Sequence, residues 1–335
     1  MSAEMNRRNF VKKSMLASAG AGLAAKAGEQ IASASEKDPQ TPVPVQATNA
    51  GAMPTGRIGD MEISRLLLGG NLLTHYTHSR DLKYVYALAT HYNTDEKILE
   101  TLAIAEQNGI NTLVVHNVRS TIAILQEHRR RGGKMQWITC TFHALVGGLA
   151  RFNREIEQLV DSGTDALYVS GVEADTICGF RNPTWGDHAA ERTKPADLDL
   201  LGKAVDLAKA HGLPTGLAAH RLGPIEDCEK AGIDVDFYLK TFHAHDYPSA
   251  TIDYDSSFCP APEKVAEFMQ TVTKPWIAYK VMAAGAIPPQ KAFQYTWDHG
   301  ADFVLAGMFD FEIEEDARLI RELFPGAKRQ RPLRA

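Results

Sequence analysis

Short apolar runs alternate with amphipathic segments eight times between residues 56 and 327, and this order limits the folds open to the chain. Strands that alternate with helices must run parallel, because each helix returns the chain to the same edge of the sheet. Eight parallel strands close into a barrel that has no exposed edge. The pattern therefore predicts the α/β class and a (β/α)8 TIM barrel.

An open, doubly wound sheet is the second fold compatible with this alternation. Such a sheet favours a G-x-G-x-x-G phosphate turn after its first strand, whereas residues 69–71 read Gly-Gly-Asn. The length of 335 residues also suits a single barrel of ~250 residues preceded by other segments. Both observations favour the closed barrel.

The limits of the predicted elements follow from apolar periodicity, glycine and proline. The eight predicted strands are Ile63–Leu68, Thr112–Val115, Gln136–Thr141, Ala166–Ser170, Thr215–Ala219, Val235–Lys240, Trp276–Tyr279 and Phe303–Ala306. The eight predicted helices are Asp95–Gln107, Ser120–Arg131, Ala150–Val160, Leu198–Ala210, Pro224–Ala231, Pro262–Val272, Pro288–His299 and Glu312–Leu323.

The first residues differ from the rest of the chain. Arg7-Arg8, Phe10 and the weakly apolar stretch after Lys13 resemble a twin-arginine (Tat) signal, and Ala32-Ser33-Ala34 has the small-x-small form of a cleavage site. We therefore predict a signal peptide at 1–34, a linker at 35–55, the barrel at 56–327 and a basic tail at 328–335. The resemblance implies export by the Tat translocase to the periplasm or the cell exterior.

Charge and cysteine content exclude several classes of partner and site. The net charge of -5 argues against nucleic acid as a partner, and no stretch of the predicted mature chain is apolar enough to span a membrane. None of the four cysteines lies at C-x-x-C spacing, so a thiolate metal site is not expected. Export would permit a disulfide, for which Cys178 and Cys259 are the better candidates.

Histidines follow four of the predicted strands at equivalent positions, which is where the loops of a barrel converge on its active site. These histidines are His116, His143, His220, His243 and His245. A shared residue type on separate strands predicts that the side chains meet. The i, i+2 spacing of the last two places their side chains on one face of an extended segment.

Neutral imidazole is the commonest protein metal ligand. We predict that His143, His220, His243 and His245, with the carboxylate of Glu173, bind Zn or Mn. Lys280, Glu173 and His116 are the predicted catalytic residues, with Lys280 as acid, base or hydrogen-bond donor. A metal-free polar pocket for a sugar or an acid remains an alternative, and so do separate structural roles.

These residues favour an exported, metal-assisted lyase, isomerase or hydrolase that acts on a small polyhydroxylated molecule such as a sugar or a keto sugar. Tyr76, Trp185 and Tyr247 follow predicted strands and could supply the aromatic faces that sugar-binding clefts use. A non-catalytic ligand-binding barrel is an alternative function.

Three segments resemble the aldo/keto reductases. They are Met61–Asn71 (MEISRLLLGGN), Ala105–Asn111 (AEQNGIN) and Ala301–Glu315 (ADFVLAGMFDFEIEE). The resemblance covers most of residues 56–325 and implies the same barrel. It also implies a second functional hypothesis, an NAD(P)-dependent oxidoreductase.

The chain departs from that family where the family carries its catalytic Asp, Tyr, Lys and His. The corresponding places hold Val115-His116, no tyrosine, Phe142-His143 and Gly171. The loop after the last strand contains Asp310, Glu312, Glu314 and Glu315, whose charges would repel the 2′-phosphate of NADP. The departures place the oxidoreductase hypothesis behind the metal-assisted one.

Overall fold

A computed structural model describes residues 51–180, 192–250 and 258–335. The chain divides into two units, Met1–Gln46 and Ala47–Ala335, and the described residues belong to the second. The predicted signal peptide, most of the predicted linker and Trp185 lie outside the described residues and stay predictions. Within the described ranges, no helix has the length and apolar character that crossing a membrane requires.

Eight parallel strands form a closed barrel, which confirms the predicted fold class. They pair in chain order from β3 to β10, and β10 closes the ring by pairing with β3. The strands are β3 Leu66–Gly69, β4 Thr112–His116, β5 Gln136–Cys140, β6 Ala166–Val169, β7 Thr215–Ala219, β8 Phe237–Thr241, β9 Trp276–Tyr279 and β10 Phe303–Ala306.

Ten α-helices accompany the barrel strands in the described ranges. They are α1 Lys83–Tyr92, α2 Asp95–Gln107, α3 Arg119–Arg130, α4 Leu149–Asp161, α5 Gly171–Ile177, α6 Leu198–Lys209, α7 Gly223–Ala231, α8 Pro262–Thr271, α9 Pro289–Asp298 and α10 Ile313–Leu323. Their starts carry the expected signals: the side chains of Thr94, Ser170 and Asp197 accept N-cap hydrogen bonds. Proline occupies the first turn of α7, α8 and α9.

A short antiparallel hairpin precedes the barrel and corrects one predicted strand. Its strands are β1 Thr55–Ile58 and β2 Met61–Ser64, and Ile58 and Ile63 pack with the apolar side chains inside the barrel. The predicted strand Ile63–Leu68 is therefore two strands, separated at Arg65. This buried arginine donates its main-chain N–H to Pro54, accepts the main-chain N–H of Val304 on β10 and donates its guanidinium to main-chain carbonyls, so the chain passes there from the hairpin into the barrel.

Side chains alternate between the inside of the barrel and the layer under the helices, as in any strand. Val114, Ala218 and Tyr279 belong to the apolar cluster inside the barrel. His116 and His220 come two residues after the first two of these, so they lie on the same inner side at the carboxyl ends of β4 and β7. The barrel mouth therefore presents imidazole and phenol groups.

Candidate functional site

A buried carboxylate fixes the imidazole of His220 at the mouth. Asp175, on α5, is fully buried, and its Oδ2 lies 2.9 Å from His220 Nδ1. The same carboxylate accepts the main-chain N–H groups of His220, at 3.2 Å, and of Arg221, at 3.1 Å. Nδ1 therefore carries the proton that it donates to Asp175, and Nε2 keeps its lone pair when the ring is neutral.

A fully buried lysine fixes the main chain at the same point. Lys240 Nζ donates to the carbonyl of His220 at 2.7 Å and to Thr241 Oγ1 at 2.7 Å. Burial lowers the pKa of Lys240 to about 8, although the ammonium remains the major form at neutral pH. Lys240 and Asp175 together hold both the ring and the backbone of His220.

The electrostatic surroundings of His220 favour its neutral form. Burial lowers the pKa of the imidazole, and the positive charges of Lys280 and Lys240 act in the same direction. The hydrogen bond and the charge of Asp175 oppose this decrease. A neutral ring with a free Nε2 lone pair can accept a proton, and its protonated form is stabilised by the carboxylate.

Gly171 lets two reactive groups approach each other. A Cβ atom at this position would lie 2.9 Å from Tyr279 Oη, 3.0 Å from His220 Cε1 and 3.1 Å from His220 Nδ1, so the phenol and this edge of the imidazole both border the space next to Gly171. Their ring centres are 5.7 Å apart. Tyr279 Oη is buried and has no hydrogen-bond partner among the described residues. Burial raises the pKa of this phenol well above its usual value, so it stays protonated.

Lys280, a predicted catalytic residue, lies beside this group. Its Nζ is 2.6 Å from His78 Nε2 and 4.1 Å from the centre of the Phe258 ring. The Phe258 ring also packs on His220, with 4.8 Å between ring centres. Lys280 has a φ of 57°, a left-handed conformation that costs free energy for a residue other than glycine, so the surrounding contacts must hold it there.

His116 belongs to a second group, which contains mainly aromatic rings. Its imidazole stacks on Phe142 at 5.4 Å and meets the edge of Tyr76 at 4.8 Å. Burial lowers the pKa of His116 to about 4, with a smaller contribution from His143, so the ring is neutral at pH 7. His116 Nε2 is buried without a hydrogen-bond partner in the described part of the chain. His143 is exposed.

His243 and His245 form a third group. Their rings stack with 5.2 Å between centres and 15° between planes, and both rings also contact Tyr247. His243 Nδ1 lies 3.1 Å from the carbonyl oxygen of Ala244. The two imidazoles therefore share a face, but they are not in the group that contains His220.

Glu173 is engaged in holding the backbone. It is fully buried; Oε1 accepts the N–H of Leu145 at 2.6 Å, and Oε2 accepts the hydroxyls of Thr141 at 3.0 Å and Ser170 at 2.9 Å. These donors occupy both oxygens. The carboxylate thus joins the end of β5 to the start of α5.

The prediction of a Zn or Mn site is wrong. Across residues 51–180, 192–250 and 258–335, no three His, Cys, Asp or Glu side chains come together in a group that could hold a metal ion. The ligands predicted for it lie in the separate groups described above: His143, His220, His243, His245 and Glu173. All four cysteines, including Cys178 and Cys259, are buried free thiols.

Three residues at the mouth were missed by sequence reasoning: Asp175, Lys240 and Tyr279. A lysine within the apolar run Phe237–Phe242 is a signal that could have been used, because such a side chain needs buried partners. Asp175 and Tyr279 gave no comparable signal. Their importance depends on the helix that places Asp175 against His220 and on the strand that places Tyr279 next to Gly171.

Solved structures with a similar fold include aldo-keto reductases. A protein from Pseudomonas aeruginosa that is assigned to the aldo-keto reductases has 17% identity and a TM-score of 0.52, covering 80% of this chain and 94% of its own. An aldo-keto reductase from Bacillus halodurans in its holo form has 12% identity and a TM-score of 0.53, covering 84% and 98%. No protein-family model matches the chain, and no curated protein matches it. At these identities the likeness shows the shared fold.

The comparison corrects the main functional prediction. A metal-assisted lyase, isomerase or hydrolase has no support in the described site, and the similar barrels named above are aldo-keto reductases. The hypothesis placed second, an oxidoreductase of the aldo/keto reductase kind, agrees better with these findings. The predicted Zn or Mn cofactor is likewise without support among the described residues.

The residues after β10 fit the nicotinamide cofactor that the oxidoreductase hypothesis requires. The ring of Phe311 is 69% exposed and lies parallel to that of Phe309 at 5.3 Å, which offers a face on which a planar base can stack. A Cβ at Gly307 would be 3.9 Å from the nearest side chain, that of Leu72, so the backbone there is open to a close ligand. Glu312 and Glu314 are exposed, which suits a cofactor without an additional phosphate.

Proposed function

We propose that the chain is an enzyme, a nicotinamide-dependent oxidoreductase that interconverts a carbonyl and an alcohol in a small molecule at the barrel mouth. The observation that carries the proposal is the eight-stranded barrel, whose similar solved structures are aldo-keto reductases. The resemblance of three sequence segments to that family adds support. The imidazole and phenol groups next to Gly171 are suited to the proton transfer that this chemistry requires.

Carbonyl reduction needs a hydride for the carbon and a proton for the oxygen. A bound nicotinamide cofactor supplies the hydride. Phe311 and the main chain at Gly307 are the residues that would hold it. The chain itself must bind and orient the substrate, restrict water and provide the proton. The imidazole and phenol groups at the mouth are suited to providing the proton.

Export by the Tat pathway remains part of the proposal, supported by Arg7-Arg8 and Phe10. The Tat translocase carries folded proteins, so a cofactor bound in the cytoplasm would travel with the enzyme. The proposed substrate is then a small molecule outside the cytoplasm. The aromatic side chains at the mouth, Tyr76 and Tyr247, are compatible with a sugar or a keto sugar.

The test is a titration of the purified full-length chain with NADH and with NADPH by calorimetry. It is followed by a search for carbonyl-dependent oxidation of the cofactor with aldehydes, ketones and keto sugars. We expect saturable binding of at least one cofactor and turnover with at least one carbonyl. Absence of binding for both cofactors would contradict the proposal. Tight carbohydrate binding without turnover would favour a ligand-binding barrel.

A further inference from the structure

We propose that His220 is the general acid–base catalyst of this mouth, that Tyr279 donates a hydrogen bond to the substrate oxygen, and that Asp175 and Lys240 are positioning residues. The inference rests on the proposed oxidoreductase function. It assigns the proton-transfer step to His220, directly after β7, and to residues on β8, β9 and α5.

The first argument is the double fixation of His220. Asp175 accepts a hydrogen bond from the Nδ1–H group of the ring, and Lys240 donates one to the main-chain carbonyl of the same residue. If Asp175 served only to hold the loop after β7, the main-chain N–H groups of His220 and Arg221 would suffice as its partners. The additional bond to Nδ1 sets the tautomer and leaves Nε2 as the ring atom able to exchange a proton.

The second argument is the buried hydroxyl of Tyr279. A buried phenol normally has a hydrogen-bond partner, since burying the hydroxyl without one costs free energy. Tyr279 Oη has no such partner within the described ranges, and it lies next to the same point as the ring of His220. A substrate oxygen bound within hydrogen-bonding distance of Tyr279 Oη would accept the hydrogen bond for which no described protein group is a partner.

The proton transfer balances as follows. In reduction, the Nε2–H bond of the His220 imidazolium would break as an O–H bond forms on the substrate oxygen, and the neutral imidazole would then regain a proton from water. In oxidation, the Nε2 lone pair would accept the alcohol proton. A nicotinamide cofactor, when bound, would supply the hydride to the substrate carbon in the first direction and take it up in the second. Asp175 stabilises the imidazolium in both directions.

Several charged or titratable groups act on His220. Asp175 faces it from α5, Lys240 from β8, and Tyr279 and Lys280 from the end of β9, while Arg221 follows it in the chain. Asp175 raises the pKa of the imidazole, and burial and the two lysines lower it. Alcohol oxidation should therefore increase as pH rises through the pKa of His220, and carbonyl reduction should decrease.

The first test replaces His220 with asparagine. We expect His220→Asn to lower kcat by about 10²–10⁴-fold, the usual contribution of a general acid–base group, with cofactor affinity within about twofold of the original protein. The matched control is His211→Asn, because His211 is exposed and precedes β7 at the opposite end of the barrel. Unchanged turnover in His220→Asn would overturn the inference.

The second test distinguishes a positioning role of Asp175 and a hydrogen-bonding role of Tyr279 from a purely structural role of either residue. Asp175→Asn removes the charge that raises the pKa of His220. We therefore expect the rate of alcohol oxidation to begin rising at a lower pH than in the original protein. Tyr279→Phe should lower kcat by about tenfold or more without changing the pH at which the rate of oxidation rises. The exposed Tyr84→Phe is the control for the phenol. A pH profile of Asp175→Asn that coincides with the original would refute the positioning role.

The failures of the two proposals are distinguishable. If the original protein binds neither NADH nor NADPH, the oxidoreductase proposal is wrong, and the inference about His220 falls with it. If cofactor binding and turnover are present and survive in His220→Asn, only the assignment of the acid–base catalyst is wrong. Circular dichroism of each variant shows whether the barrel has folded.

Discussion

At the scale of single residues, Gly171 carries the clearest structural requirement. It starts α5 without needing a left-handed backbone, so conformational freedom does not account for a glycine here. The space that a side chain would take is occupied by the phenol of Tyr279 and the ring of His220. The absent side chain is thus what allows the two groups to meet.

We therefore expect Gly171→Ala to separate activity from stability. Alanine forms helix better than glycine by up to about 1 kcal/mol, so the thermal midpoint should change little. The new methyl group should displace Tyr279 and lower kcat by about tenfold or more at unchanged cofactor affinity. The control is Gly202→Ala on α6, where a Cβ would have no neighbour within 4 Å. Full turnover in Gly171→Ala would contradict the proposed arrangement.

Asp316 on α10 is a second residue whose environment has a measurable effect. It is 3% exposed, and burial raises its pKa from 3.8 to about 7, with Glu312 and Glu315 acting in the same direction. Between pH 3.8 and about pH 7, Asp316 is protonated in the folded protein but ionised in the unfolded chain. The contribution of Asp316 to stability is therefore present at low pH and is lost as pH rises from its ordinary pKa to about 7.

Asp316→Asn should consequently leave stability unchanged near pH 4 and increase the thermal midpoint by several degrees above pH 7. Thermal unfolding at a series of pH values measures the difference in midpoint between the variant and the original protein. His116 has the opposite effect, because its pKa is lowered to about 4 and stability therefore decreases as pH falls below the ordinary value of 6.5. This effect is the same in the variant and in the original protein, so it cancels in the comparison. The exposed Asp206→Asn is the control, and identical pH profiles for Asp316→Asn and the original would disprove the prediction.

At the scale of elements, Glu173 shows how a loop is attached to a helix. Its carboxylate accepts donors from Thr141, Leu145 and Ser170, and so connects the end of β5 with the start of α5. The position of Asp175 depends on that connection, since both acidic residues are on the same short helix.

Glu173→Gln should lower the free energy of unfolding by about 2–3 kcal/mol, because a buried carboxylate oxygen that accepts hydrogen bonds is replaced by a donor. Chemical denaturation measures this change. Glu157→Gln on α4, where the side chain is exposed, should change stability by less than about 0.5 kcal/mol. A Glu173→Gln variant as stable as the original would show that the loop does not depend on this carboxylate.

The acidic segment at the start of α10 leads to a prediction about cofactor choice. The charges of Glu312 and Glu314 should oppose the 2′-phosphate, so we expect tighter binding of NADH than of NADPH. Glu314→Lys should strengthen NADPH binding by several fold at low ionic strength, with a smaller effect on NADH. Calorimetric titration at two salt concentrations provides the measurement. Equal affinity for both cofactors in the original protein would rule out this role of the segment.

Predicted elements agree closely with the structure where the local pattern was strong. The limits of β7, β9, β10 and α2 coincide with the prediction, because each element is bounded by glycine, proline or a capping residue. The division of the first predicted strand could not be foreseen, because it depends on the contacts of Arg65 with carbonyls more than 230 residues away in the chain. The short helix α5 was missed because seven residues show too little periodicity.

At the scale of the whole molecule, the C-terminal tail closes the lower end of the barrel. Arg331 is 1% exposed; it pairs with Asp302 at 2.7 Å and donates to the carbonyls of Val272, Lys274 and Gly300. These partners precede β9 and β10, so they lie at the end opposite the mouth. The predicted basic tail at 328–335 thus contains a residue that is buried in the barrel base.

Arg331→Ala should destabilise the protein by about 3–5 kcal/mol, since removing one partner leaves the buried Asp302 without its guanidinium. The folded fraction should retain its kcat, because the mouth is distant. Arg334→Ala, with an exposed side chain in the same tail, is the matched control. Denaturant unfolding together with activity measured below the transition tests both statements. A loss of kcat without a loss of stability would contradict them.

The candidate site was predictable only in part. The sequence placed His116, His220 and Lys280 at the carboxyl ends of strands, because strand order and apolar periodicity locate those ends. The assumption that all the histidines meet went beyond this information. Equivalent positions on different strands point to different parts of the mouth, and the structure distributes the rings among three groups.

The sequence by itself determined the closed barrel, since the order of strands and helices is encoded locally in apolar spacing, caps and breakers. Only the tertiary structure decided which polar groups meet: that Asp175 binds His220, that Lys240 holds its carbonyl, and that Tyr279 reaches the same point across Gly171. The physical reason is that hydrogen bonds and pKa values depend on distances of a few ångströms between distant segments. Such distances are set by packing and closure of the barrel, and no local pattern records them.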